Sequence, residues 1–99
     1  MPKTKQKYVI IRARDAGAFA GYLLSNNPVD SVVLRSARRL WYWSGAASLS
    51  QLAQEGTSKP KECKFPVAVD QQVVNGVIEI LDVTAIAQAS IEGVPVWRA

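Results

Sequence analysis

Histidine is absent from the sequence, and cysteine occurs once, as Cys63. Without histidine there is no Ser-His-Asp or Cys-His nucleophilic arrangement and no His-ligated metal site. A single cysteine excludes an internal disulfide framework, so the expected compartment is a reducing cytosol. No apolar run approaches the roughly 18 residues that a membrane span requires. Met1-Pro2-Lys3-Thr4-Lys5-Gln6-Lys7 is basic, but the apolar stretch after it is too short and interrupted for a secretory signal. A phosphate-cradling loop is also missing, because Gly17-Ala18-Phe19-Ala20-Gly21 lacks the Lys-Ser/Thr that completes a P-loop. Carboxylates are few and scattered. Glu79 and Asp82 lie three apart around a strand end, so they do not face each other as an acid–base pair must. Cys63 has Lys61 and Lys64 nearby but no general base or resolving thiol, which makes it a bystander. The sequence thus predicts a non-enzyme with no catalytic residues, no metal ligands and no cofactor.

What is present is enough for one folded domain. Across 99 residues, 48% are hydrophobic and 20% charged, the balance of a globular chain and not a disordered one. We divide it into a basic N-terminal tail, 1–7, and a single α+β domain, 8–99. The net charge of +4 is uneven. Residues 1–43 carry eight Lys and Arg against two Asp, a balance of +6, whereas residues 44–99 carry four against six acidic groups, a balance of −2. Such asymmetry suits an anionic partner, and equally a head-to-tail homo-oligomer.

Periodicity organises the chain. Lys7 to Arg14 alternates as a strand, with Val9, Ile11 and Ala13 on one face and Tyr8, Ile10, Arg12 and Arg14 on the other. Asp15-Ala16-Gly17 reads as a turn, and Ala18 to Ser25 as a second strand in which Gly21 marks a bulge or a close backbone approach. Ser25-Asn26-Asn27-Pro28-Val29-Asp30 is a loop signal. A third strand is expected from Ser31 to Trp43, long enough to need a bulge near Ser36-Ala37. Ser48-Leu49-Ser50-Gln51 matches a capping box opening a helix that Gly56 closes. Phe65 to Val69 reads as a short edge strand and Val77 to Leu81 as a buried one. A second helix, with Val83, Ile86, Ala87 and Ser90 on one side, ends at Gly93-Val94-Pro95. Trp97 should dock the tail. The predicted fold is a curved antiparallel sheet, or partial small β-barrel, of about five strands with two short helices.

The run Val32 to Leu49 carries two of the three Trp residues and three of the six Arg. In a regular strand Val33, Arg35, Ala37, Arg39, Trp41 and Trp43 share one face, and Arg38 lies on the other. Interleaved Arg and Trp can stack a base and neutralise phosphate. The same two Trp can instead cap the core beneath the first helix, with Arg35 and Arg39 over their rings, and this reading is preferred. Candidate ligand-binding residues are Arg35, Arg38, Arg39, Trp41 and Trp43, extended by Arg12 and Arg14. Arg38 and Arg39 are the sharper pair, because they should point to opposite faces.

The run Ala37-Arg38-Arg39-Leu40-Trp41-Tyr42-Trp43-Ser44-Gly45-Ala46-Ala47-Ser48-Leu49, with Gly56-Thr57, Cys63-Lys64-Phe65-Pro66, Val77-Ile78-Glu79-Ile80 and the closing Ser90-Ile91-Glu92-Gly93-Val94-Pro95-Val96-Trp97, resembles a family of small proteins of unassigned function encoded by tailed bacteriophages and prophages. The resemblance spans nearly the whole chain. It implies action in the host bacterial cytoplasm or within the virion, and no particular activity. Residues 8–37 are similar to the opening of Sm-like small β-barrels, although the Asp and Asn of that family's RNA-contacting turn are not in place. The expected function is that of a phage accessory protein binding nucleic acid or a nucleotide through a basic Arg/Trp surface. Two alternatives are a virion structural or connector protein assembling as a homo-oligomer or with other phage proteins, and an antagonist of a host defence that sequesters a nucleotide or blocks a host protein. No membrane partner is expected.

Overall fold

The computed structural model describes residues 7–27 and 31–98; the lysines of the tail before Lys7 lie outside them. Its elements are β1 (Tyr8–Ala13), β2 (Gly17–Asn27), β3 (Ser31–Arg39), α1 (Leu49–Glu55), β4 (Val69–Val74), β5 (Val77–Asp82) and α2 (Ala85–Glu92), with a short 3-10 turn at Pro60–Glu62. The strands form one sheet in the order β4-β3-β2-β1-β5, antiparallel at every pairing. The architecture is the expected α+β sheet of five strands with two helices.

The connection between β4 and β5 forces the sheet to bend. These strands occupy opposite edges, yet only Asn75 and Gly76 join them. Adjacent strands lie about 4.8 Å apart, so the edges of a flat five-stranded sheet would be about 19 Å apart. Three Cα–Cα steps span about 11 Å at most. The sheet therefore curls, and the Arg14 N–H donates to the Gly76 carbonyl at 2.8 Å, fastening the turn beside the end of β1. β4 and β5 do not pair with each other, so the curl stops short of a closed barrel.

Curling creates two cores from one sheet. Val9, Ile11, Ala13, Phe19, Val32, Leu34, Ala37 and Val74 form a cluster that contains no helical residue. They are buried only because the strands wrap around them. On the outer face, Tyr8, Ile10, Ala18 and Ala20 meet Leu52 and Ala53 of α1 and Ile91 of α2, with Leu40, Cys63, Phe65 and Val94 from the connecting segments. β1 is thus covered on both sides, which explains its nearly unbroken apolar run. Complete burial of a side chain such as Phe19 or Phe65 contributes about 1.5–3 kcal/mol each.

Gly21 serves both purposes expected of it. The β2–β3 register slips between Ala20 and Tyr22, and a Cβ at Gly21 would sit 3.0 Å from the Arg35 carbonyl oxygen. Opposite it, Ser36 adopts a φ of 53°, in the left-handed region. That residue resets the alternation along β3: Val32 and Leu34 enter the inner cluster before it, and Ala37 enters it after.

Several expectations are corrected. β2 continues to Asn27, and β3 ends at Arg39 instead of Trp43. Phe65 to Ala68 make no strand, and the edge strand β4 only begins at Val69; isolated bridges at Lys64 and Phe65 precede it. β5 is an exposed edge and not a buried strand, with Ile78 at 46% and Ile80 at 41% exposure. Ile86 projects to solvent at 76% exposure, and α2 buries Ala87 and Ile91 instead. The Ser48 cap forms as read, its Oγ accepting from the Gln51 N–H at 3.3 Å, and α2 has a cap that was not anticipated, Thr84 Oγ1 accepting from the Ala87 N–H at 3.1 Å. Gln51 reaches back one residue further than a capping box requires, accepting from the Ala47 N–H at 2.8 Å.

Candidate functional site

The seven candidate binding residues do not assemble on one surface. Arg12 pairs with Glu79, Nε to Oε1 at 2.9 Å. Arg14 is exposed at the turn after β1. Arg35 lies over the Tyr22 ring at 4.4 Å. Arg39 lies over Phe19 at 4.5 Å, and its Nη1 donates to the Ala16 carbonyl at 3.0 Å. Trp43 is half-buried against the helix-side core. Arg38 and Arg39 do take opposite faces, but each covers a phenylalanine and neither a tryptophan.

Arg38 is structural. It is 7% exposed and forms four hydrogen bonds to backbone carbonyls. Nε donates to Pro66 at 3.2 Å, Nη1 to Ile91 at 3.0 Å, and Nη2 to Phe65 at 3.2 Å and Val94 at 2.6 Å. A buried cation is tolerated where polar groups replace its hydration. Here the Ile91 carbonyl, in the last turn of α2, adds the favourable end of the helix dipole. Burial nevertheless lowers the Arg38 pKa from its ordinary value. Arg38 is therefore withdrawn from the binding set, contrary to the emphasis the sequence places on it. Cys63 is buried too, with its sulfur accepting from the Ser44 N–H at 3.5 Å.

An aromatic and cationic cluster forms elsewhere, where three extended segments meet. Tyr42 bridges Lys64 in antiparallel fashion and Phe65 bridges Val96 in parallel. The Lys64 N–H donates to the Tyr42 carbonyl at 2.7 Å and the Trp97 N–H to the Phe65 carbonyl at 3.0 Å. These few bonds align residues 41–42, 64–65 and 96–97. The Trp41 and Trp97 rings stack with centroids 5.3 Å apart and planes 8° from parallel, within the offset geometry that aromatic pairs favour. Lys64 Nζ lies 5.4 Å from the Trp41 ring, 5.5 Å from Trp97 and 5.8 Å from Tyr42. The rings remain open to solvent at 58% for Trp41, 49% for Tyr42 and 42% for Trp97. An ammonium among three exposed π-faces can neutralise an anion while a flat group stacks on an indole.

Of the sequence-predicted residues, only Trp41 belongs to this cluster. Tyr42, Lys64 and Trp97 were missed as binding residues. The early signal was limited to an aromatic in the tail, because what joins the three segments is pairing between residues distant in the chain. Among the described residues, no group of three or more Cys, Asp or Glu is placed to hold a metal ion, and no helix is long and apolar enough to cross a membrane.

No curated protein and no solved structure gives a significant match to this chain. Residues 6–91 match the model of a family described as a domain of unknown function (DUF6948). That match covers most of the 99 residues. The chain belongs to this family of domains of unknown function.

Proposed function

We propose that the protein is a non-enzymatic binding module that takes an anionic partner, single-stranded nucleic acid or a nucleotide, at the Trp41–Tyr42–Lys64–Trp97 cluster. The observation that carries this reading is the gathering of three exposed rings around one ammonium, all within 6 Å of it. Base stacking on an aromatic contributes about 1–3 kcal/mol per base and needs only a π-face, which duplex DNA keeps hidden. The +4 net charge supports the same partner, because counterion release favours a basic protein on a polyanion. The resemblance to small tailed-phage proteins supports a binding event inside an infected bacterium. Titrating tryptophan fluorescence with a single-stranded oligonucleotide, against the same sequence as a duplex, tests the reading. Quenching by the single strand that weakens with salt and falls in Trp97→Ala supports it. Indifference to the oligonucleotide at low salt defeats it.

A second reading rests on the sheet edges. Ile78 and Ile80 on β5, and Val69 and Val73 on β4, are each more than 40% exposed. Free apolar edges template pairing with another chain. A homo-oligomer formed through them would make the protein an assembly component. Light scattering of wild type and Ile80→Lys separates the two: an oligomer that the substitution dissolves favours assembly.

A further inference from the structure

Beside the buried guanidinium lies a pocket of about 270 Å³, distinct from the exposed rings. Its polar lining comes from Tyr8, Ser36, Arg38 and Glu92, and its apolar wall from Ala68, Val94 and Val96. Tyr8 is only 7% exposed, yet among the described residues its hydroxyl has no hydrogen-bond partner; the ring contacts Tyr22 edge-on, at 5.1 Å between centroids. No fully enclosed side-chain nitrogen or oxygen lacks a partner among the described residues. The Tyr8 hydroxyl is therefore open to the space it lines, where it can hydrogen-bond an oxygen of a molecule that occupies the pocket.

The charges around this pocket define what fits. Arg38 has five N–H donors, of which four are committed to carbonyls, leaving one on Nη1. Among the described residues no carboxylate lies within ion-pair distance of it, so its positive charge is met by dipoles alone. Glu92 borders the same space; its Oε2 accepts from the Tyr22 hydroxyl at 3.2 Å. A simple anion would gain from Arg38 and Tyr8 but be opposed by Glu92. A simple cation faces the reverse. A molecule carrying both charges satisfies both ends. At about 270 Å³ the pocket lies just below the roughly 300–1,000 Å³ of drug-sized ligand sites, which suits a molecule of amino-acid size.

We propose that this pocket binds a small zwitterion of amino-acid size, its carboxylate directed to Tyr8 and Arg38, its ammonium to Glu92 and its apolar part to Val94 and Val96. The site is independent of the aromatic cluster, and either can fail without the other.

The test titrates the intact protein with L-leucine, isovalerate and isopentylamine, the last two each lacking one of leucine's charged groups. Shifts of the Val94 and Val96 methyl resonances report occupancy. Leucine should saturate the shifts and bind at least tenfold more tightly than either single-charge analogue. Tyr8→Phe, which keeps the ring, should weaken leucine about tenfold, and Glu92→Gln should reduce it to the level of isovalerate. A dispersed spectrum for each variant, matching wild type away from the pocket, shows that folding is intact. Absence of saturable shifts with leucine overturns the proposal. So does isovalerate binding as tightly as leucine, or wild-type leucine affinity in both variants.

Discussion

Arg38 Nη2 donates to the Val94 carbonyl at 2.6 Å, tying the end of β3 to the chain just beyond α2. The same guanidinium holds Phe65 and Pro66, so one side chain joins β3, the segment before β4 and the C-terminal segment. That segment carries Trp97, and residues 64–65 carry Lys64. The buried arginine therefore supports the exposed cluster without belonging to it.

Removing Arg38 should be costly. Arg38→Ala leaves four enclosed carbonyls without their donor, and each buried acceptor left unsatisfied costs about 1–3 kcal/mol. Arg38→Lys keeps the charge but cannot fork to four acceptors, so it should lose about half as much. Urea denaturation of the three proteins checks the order. An Arg38→Ala variant within about 1 kcal/mol of wild type would contradict the structural role assigned here.

Trp97→Ala and Trp41→Ala should separate binding from stability. Both rings are largely exposed, and a stacked pair is worth about 0.5–1.5 kcal/mol beyond its buried area. Each substitution should thus lower stability by about 1–2 kcal/mol while weakening single-strand binding about tenfold or more. Lys64→Gln should instead flatten the salt dependence, reducing the slope by about one ion. Fluorescence titrations at several salt concentrations give both quantities.

Glycine positions that share a positive φ should differ sharply in tolerance. Gly56 and Gly17 both have positive φ, but a Cβ at Gly56 would lie 2.4 Å from Ser90 Cβ, whereas one at Gly17 meets nothing within 4 Å. Gly17→Ala should cost about 1–2 kcal/mol from backbone strain alone. Gly56→Ala adds overpacking between α1 and α2 and should cost about 2–4 kcal/mol. Thermal melts of the two variants, compared with wild type, measure the gap.

Stability should fall in alkali through Tyr8. Burial, reinforced by the Glu92 carboxylate and partly offset by Arg38, raises its phenol well above the ordinary tyrosine range. The folded protein then holds this proton more tightly than the unfolded chain does. Below about pH 10 both states are protonated and stability is at its full value. Above that, the unfolded chain ionises first, so stability declines by up to about 1.4 kcal/mol per pH unit until the folded phenol titrates as well. Tyr8→Phe should remove most of this slope in urea midpoints measured above about pH 10. Tyr22 shifts in the same direction, through burial and then Glu92, and should leave a residual decline.

The sequence by itself determined the local elements whose physics is local. Alternation in residues 8–13, the Ser48 cap, the turn before Gly17, the bulge near Ser36 and the helix stop at Gly93 were all legible, because each depends on neighbours a few residues away. The α+β class followed from their order. Tertiary structure alone decided which side chains were free to bind. Arg38 reads as a surface cation until four carbonyls from distant segments enclose it. The left-handed Ser36 inverted the faces of β3, and a two-residue link between opposite edges curled the sheet. Trp41 was visible as a candidate, but its partners Lys64 and Trp97 meet it through isolated bridges that no periodicity announces. Burial and long-range pairing are properties of the assembled chain, and the composition of the binding cluster depended on both.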